Sequence, residues 1–166
     1  LVACSLGQKF ALIALNEDQK AQHEEIAEAY GLEKRLAASI AMQPPIDEYM
    51  LEGDDVATRP IVEGFHRACR LAMDAGADVI IPGDGVLNEF VWRKGLMRFE
   101  NATVMDALGT LFRYGAFMAG AQKSLGLGVS RVRHYAKPSE AMLQHARSFA
   151  GVEPIPESAF SGKPPS

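Results

Sequence analysis

Gly83-Asp84-Gly85 ends the apolar run "ADVIIP" and passes straight into a segment of helical composition, "VLNEF". Open α/β sheets place their ligands and chemistry just outside the carboxyl ends of their strands, and here a carboxylate stands at such a corner. Asp84 is therefore a candidate for a direct role as base, acid or ligand contact. It has a structural reading as well, since Gly-Asp-Gly is good turn chemistry and an aspartate just before a helix caps its exposed N–H groups. Asn88 either lines the same cleft or belongs only to the following helix. Asp106, also at a strand's carboxyl end, reads as the N-cap of a long helix. "GDGV" is no phosphate loop, because neither GxGxxG nor GxxxxGK[ST] surrounds it.

The other residues able to do chemistry are scattered. Cys4 and Cys69 are the only cysteines, too few for a disulfide framework or a zinc knuckle. His23, His66, His134 and His145 show no ligand spacing, so no metal and no cofactor is expected. Arg131, Arg133, His134 and Lys137 form a basic cluster that reads as solvated surface, with attraction of a carboxylate substrate or a neighbouring subunit as the alternative. Phe90, Val91 and Trp92, among Arg93, Lys94 and Arg98, form a lid, a subunit contact or an ordinary half-buried helix.

Short apolar runs separated by helical periodicity must position these residues. "KFALIAL" (9–15) reads as a strand buried on both faces. Asn16 then offers an N-cap for a helix through about Tyr30, which Gly31 stops. "LAASIAMQ" (36–43) is a second strand, closed by Pro44-Pro45, and the acidic stretch "IDEYMLEGDD" is expected to be loop. Asp54 or Asp55 caps a helix running to about Ala75, where Val62, Phe65, Cys69, Ala72 and Met73 recur at three- and four-residue steps. "ADVIIPG" is the third strand and "ATVMDAL" (102–108) the fourth. A long helix then ends at Gly126, its small residues Gly115, Ala116, Ala119, Gly120 and Ala121 suited to core packing. Residues 140–150 read as a short helix before a disordered tail, "GKPPS". Strand and helix alternate throughout, which predicts a three-layer α/β/α fold with a mostly parallel four-stranded sheet.

Composition narrows the function. The 166 residues are 48% hydrophobic and 23% charged with net charge −4, ordinary for a globular domain and without the basic footprint of a nucleic-acid partner. No apolar run approaches the roughly 20 residues of a membrane span. A cytoplasmic setting is expected, as is sequence upstream of Leu1, which is not an initiating methionine.

Five phrases, "LGQKFALIAL", "AEAYGLEKRLAA", "GADVIIPGDGV", "TVMDALGTLF" and "SLGLGVSRVRHYAKP", resemble in order and spacing the aspartate/glutamate/hydantoin racemase superfamily, most closely its hydantoin and allantoin racemase branch. The likeness covers roughly residues 1–138, leaving 139–166 as a C-terminal helix and tail. It implies two α/β lobes related by a pseudo-twofold, with the substrate between them and one catalytic cysteine from each. This chain would correspond to the second lobe and its closing helix, with the first lobe absent. Cys4 precedes the first strand and is expected to be structural. Asp84 occupies the place of the second cysteine, in "VIIPGDG" where the family has a phrase like "VIVLGCxG". An ordinary carboxylate is a weaker base than an ordinary thiolate by about 4 to 5 pKa units, or about 6 kcal/mol, and burial recovers part of that. The branch also tends to have threonines and an arginine after the first strand, where this chain has Ala14, Leu15 and Asp18.

The resemblance implies a cofactor-independent, racemase-like isomerase of a small amino-acid derivative: a hydantoin, allantoin or an acidic amino acid. Asp84 would be the catalytic acid/base at the α-carbon. Gly83, Gly85, Val86 and Asn88 would contact the substrate, with backbone N–H groups of residues 83–87 on its anionic part. A homo-oligomer is expected, with the small-molecule substrate as partner and neither nucleic acid nor membrane. The alternatives are a related isomerase or lyase on the same scaffold and a non-catalytic small-molecule-binding homologue.

Overall fold

The computed structural model describes residues 1–151, which divide into two compact units, Leu1–Gly120 and a second beginning at Ala121. In the first unit a five-stranded sheet has the order β2-β1-β3-β5-β4, built from β1 (Phe10–Ala14), β2 (Leu36–Ala41), β3 (Val79–Pro82), β4 (Arg98–Phe99) and β5 (Ala102–Val104). The first three and β5 pair in parallel and β4 is antiparallel to β5. The four expected strands are thus present, and a two-residue edge strand adds a fifth.

Side-chain alternation along β1 sorts the two faces. Ala11 and Ile13 pack into one core with Phe65, Cys69, Ala72, Ile80, Leu87 and Phe90. Phe10 belongs to a second cluster with Ala3 and Val79, against which Leu12, Ile81 and Met105 pack. The first core holds α3 (Asp55–Asp74) and α4 (Gly85–Arg93), while α1 (Ala3–Leu6) and α2 (Glu17–Ala29) lie on the other face. Burial pushes the Cys69 thiol up to about 12, so it sits in this core as a protonated, apolar side chain.

The helix boundaries follow local chemistry. Asn16 caps α2 through Gln19 N–H, and Asp54, the first of the two offered aspartates, caps α3 through Val56 and Ala57 N–H. Gly31 (φ 65°) and Gly76 (φ 95°) take the left-handed region just past their ends, open to glycine at no steric cost. The stretch expected to be loop instead contains a 3-10 helix, Glu48–Glu52, capped by Asp47 and anchored by the fully buried Leu51. At the amino-terminal edge of the sheet, Asp78 accepts from Gln8 N (2.8 Å) and Lys9 N (3.0 Å), while Arg35 donates to the carbonyls of Cys4, Gly7 and Gln8.

The strand expected over 102–108 is β5, which ends at Val104, and Ala107 already begins α5 (Ala107–Leu125). Asp106 accepts from Gly109 N at 2.8 Å, which satisfies a helix-start donor that strand geometry would leave free. Contrary to expectation, the small residues of α5 do not pack into the core. Gly115, Ala116, Ala119 and Gly120 are exposed, a Cβ on Gly115 would meet nothing within 4 Å, and only Ala121 is buried. Leu111, Phe112 and Phe117 are exposed on the same helix.

In the second unit, the short helix expected over 140–150 is present as α6 (Glu140–Ala150), capped by Ser139 and ended by Gly151. Arg131, Arg133 and Lys137 are exposed, in keeping with a solvated surface. The "GKPPS" tail lies outside the described residues.

Burial separates phenylalanines of similar size. Phe65→Ala is expected to cost about 3–5 kcal/mol, and Phe112→Ala to stay within about 0.5 kcal/mol, as measured by urea unfolding of each variant.

Candidate active site

The strand order places a topological switch point between β1 and β3. The chain leaves β1 into α2 on one face of the sheet and leaves β3 into α4 on the other, so their connections part and open a crevice at the carboxyl edge. Asp84 stands at this crevice as the N-cap of α4. Its Oδ1 accepts from Val86 N (2.8 Å) and Leu87 N (3.0 Å). Its Oδ2 accepts from Gln19 Nε2 at 3.2 Å, across the switch point from α2. Gln19 Oε1 in turn accepts from Leu15 N (2.9 Å), so the amide is held at both ends. The structural reading of Asp84 as a cap is thus realised, and the half-buried carboxylate also belongs to a network spanning both crevice walls.

Gly83 continues the sheet by donating its N–H to the Ile13 carbonyl at 2.8 Å. Its own carbonyl lies 3.2 Å from His23 Nε2. An added Cβ at Gly83 would fall 2.2 Å from His23 Cε1, so the imidazole occupies the space that any side chain would need. Burial pushes the His23 pKa below the ordinary imidazole value, while the Gly83 carbonyl and the Asp84 charge act in the opposite direction. His23 Nδ1 is buried without a hydrogen-bond partner.

The remaining sequence-predicted residues separate. Gly85 and Val86 lie exposed on the first turn of α4. Asn88 is 3% exposed and committed to the protein interior, donating to Asp106 Oδ1 (2.9 Å) and accepting from Ala107 N (2.8 Å). The Asn88 amide and the Gly109 N–H hold the Asp106 carboxyl below the usual carboxylate range. The N–H groups of Gly83, Val86 and Leu87 already bond to Ile13 and Asp84, which leaves little of the 83–87 backbone for an anion. Phe90 and Val91 are buried and Trp92 exposed, the ordinary half-buried helix among the readings of that segment. Sequence reasoning missed Gln19 and His23. The signal for them was their four-residue separation on one helix, which puts both on one face.

Next to Gln19 a cavity of about 240 Å³ is lined by Leu15, Asn16, Ile46, Asp47, Glu48 and Tyr49. Its charged lining is acidic. A larger apolar cavity of about 410 Å³, bordered by Met42, Pro44 and Ile61, includes no residue of the 83–88 corner. Among the described residues, no cluster of three or more His, Cys, Asp or Glu side chains is placed to hold a metal ion, and no helix is long and apolar enough to cross a membrane.

No family model matches the chain, and no curated protein sequence does. Among solved structures the chain is similar to the crystal structure of allantoin racemase from Pseudomonas fluorescens, with 25% identity and a TM-score of 0.59. The chain thus shares the fold of an allantoin racemase, in agreement with the resemblance to the aspartate/glutamate/hydantoin racemase superfamily read from the sequence. The match covers 82% of this chain and 54% of the racemase, so the chain spans about half that protein's length. Asp84 lies at a β-strand's carboxyl end within this racemase fold, as the sequence phrase predicts.

Two stability measurements examine the corner. Asp84→Ala is expected to cost about 0.5–2 kcal/mol by removing the cap, and Asp84→Asn less, because it keeps the cap at Val86 and Leu87 N–H and loses only the acceptor that Oδ2 offers Gln19. The pH dependence has a definite sign. Because folding lowers the His23 pKa from the ordinary imidazole value of 6.5, the unfolded chain binds more protons, and stability present above that value is lost as pH falls towards the folded pKa. Folding also lowers the Asp78 and Asp106 pKa values from 3.8, so their contribution is present above that value and is lost below it. Urea titrations at stepped pH should show the upper limb flattened in His23→Gln and the lower limb unchanged.

Proposed function

We propose that the protein is a racemase-like isomerase acting on a small amino-acid derivative by proton transfer at the α-carbon, with Asp84 as the acid/base group contributed by this chain. The observation that carries the reading is the placement of Asp84 at the switch point of a racemase fold. In the proposed reaction the Asp84 carboxylate takes the α-proton and the electron pair is left on the adjacent carbonyl. Inversion requires that a second group return a proton to the opposite face. The resemblance assigns that group to a first lobe, outside the length spanned here. Asp47 and Glu48 in the neighbouring cavity repel a dicarboxylate, which favours a hydantoin or allantoin, neutral and rich in N–H donors, over an acidic amino acid.

The protein carrying this chain is expected to exchange the substrate's α-hydrogen for solvent deuterium, faster with a hydantoin or allantoin than with aspartate or glutamate. Asp84→Asn keeps the cap and should lower exchange by about 10²- to 10⁴-fold. Absence of exchange with every one of these compounds would end the racemase reading.

One observation favours a second reading. Both oxygens of Asp84 are engaged by protein donors, as in a structural or ligand-binding carboxylate. In a non-catalytic binding protein Asp84→Asn changes affinity alone, which calorimetry with a hydantoin or allantoin would detect without turnover.

A further inference from the structure

Helix α2 presents two side chains, one turn apart, to a single corner of the sheet. Gln19 Nε2 donates to Asp84 Oδ2 at 3.2 Å, and four residues later His23 Nε2 lies 3.2 Å from the Gly83 carbonyl. A carbonyl oxygen only accepts, so the contact requires the tautomer with its proton on Nε2 and leaves Nδ1 bare. His23 is nine-tenths buried, and that bare nitrogen has no partner. The ring lies against the Gly83 backbone so closely that a Cβ would fall 2.7 Å from Nε2 and 3.0 Å from Nδ1. Residue 83 is thereby held from both sides, its N–H by Ile13 on β1 and its carbonyl by His23 on α2. The next residue is Asp84.

We infer that His23 is the positioning residue of the candidate site: as a neutral imidazole it fixes the Gly83 carbonyl and so sets the direction in which the Asp84 carboxylate leaves the sheet. The inference rests on reading this corner as the working end of the site. Adding a proton at Nδ1 creates a buried cation whose new N–H has no acceptor, so burial keeps the ring neutral although its Nε2–H bond to the Gly83 carbonyl favours the charged form, and titration of the ring disturbs the corner it packs against. Few other groups share control of that titration. The Asp84 carboxylate acts on the ring from the β3–α4 corner. The cavity beside the ring brings Tyr30 from its own helix together with Phe10, Leu12 and Ile81, while β1 and β2, on which α2 packs, carry no charged residue.

The test follows His23 Cε1–H and the Asp84 carboxyl carbon by NMR in the full chain, titrated from about pH 8 to 5. The Asp84 carbon is expected to move at the midpoint of His23, and that movement to vanish in His23→Phe. The Val86 and Leu87 amide resonances should shift in His23→Phe and hold their positions in His23→Gln, which retains an N–H donor. Asp84→Asn should displace the His23 midpoint further down. An Asp84 carbon indifferent to the titration of His23, or Val86 and Leu87 amides unmoved in His23→Phe, overturns the proposal; if His23→Phe does not fold, the wild-type titration and Asp84→Asn decide it. None of these readouts needs a substrate, so they stand apart from the exchange assay. With a substrate that does exchange, His23→Phe should lower kcat about 10- to 100-fold at unchanged KM, and a change confined to KM counts against the positioning role.

Discussion

The register between β1 and β3 determines where the carboxyl edge places its polar groups. Phe10 pairs with Val79 and Ile13 with Pro82, and the ladder continues through the Gly83 N–H to the Ile13 carbonyl. With side chains alternating between faces, a slip of one residue would send the Ile80 side chain to the opposite face and detach Gly83 from its acceptor. The register is secured because both strands are buried on both sides: β1 carries Ala11 and Ile13 into one cluster and Phe10 into the other, while β3 divides Ile80 and Val79 in the same way. The corner that follows β3 is therefore as well fixed as the core itself.

Strand β3 is flanked by two aspartates that differ in what surrounds them. Asp78, before the strand, receives two backbone N–H groups from the 8–9 loop, and those bonds hold its carboxyl below the usual range. Asp84, after the strand, also receives two backbone N–H groups, but from its own helix, and its second oxygen faces a side-chain amide across a crevice. The first ties a loop to the sheet. The second brings two divergent connections together at the point where the doubly wound order leaves a gap.

Much of this was legible in the sequence where the physics is local. The caps at Asn16 and Asp54, the stops at Gly31 and Gly76, the α3 stripe and the buried β1 run all reflect interactions within a few residues. What escaped depends on distant partners. The 3-10 helix at 48–52 is held by the burial of Leu51 and by Arg93 donating to the Leu51 carbonyl, 42 residues away. The end of the last parallel strand reads too late in the sequence, at residue 108 instead of Val104, although Asp106 rightly reads as the cap of α5. Gln19 and His23 were hidden in a mostly polar helix whose weak apolar stripe does not announce which face meets the sheet. The small residues of α5 suggested close packing that its exposed surface does not show, because small side chains permit an approach without enforcing one.

The fit of an imidazole over a bare Gly83 makes positions 23 and 83 one unit of shape, although 60 residues separate them. A methyl group at 83 is excluded while the ring is present and becomes admissible once position 23 carries something short. Substitution at either position is therefore conditional on the other. A side chain at 83 requires the imidazole either to leave its place against the backbone or to be replaced by something smaller.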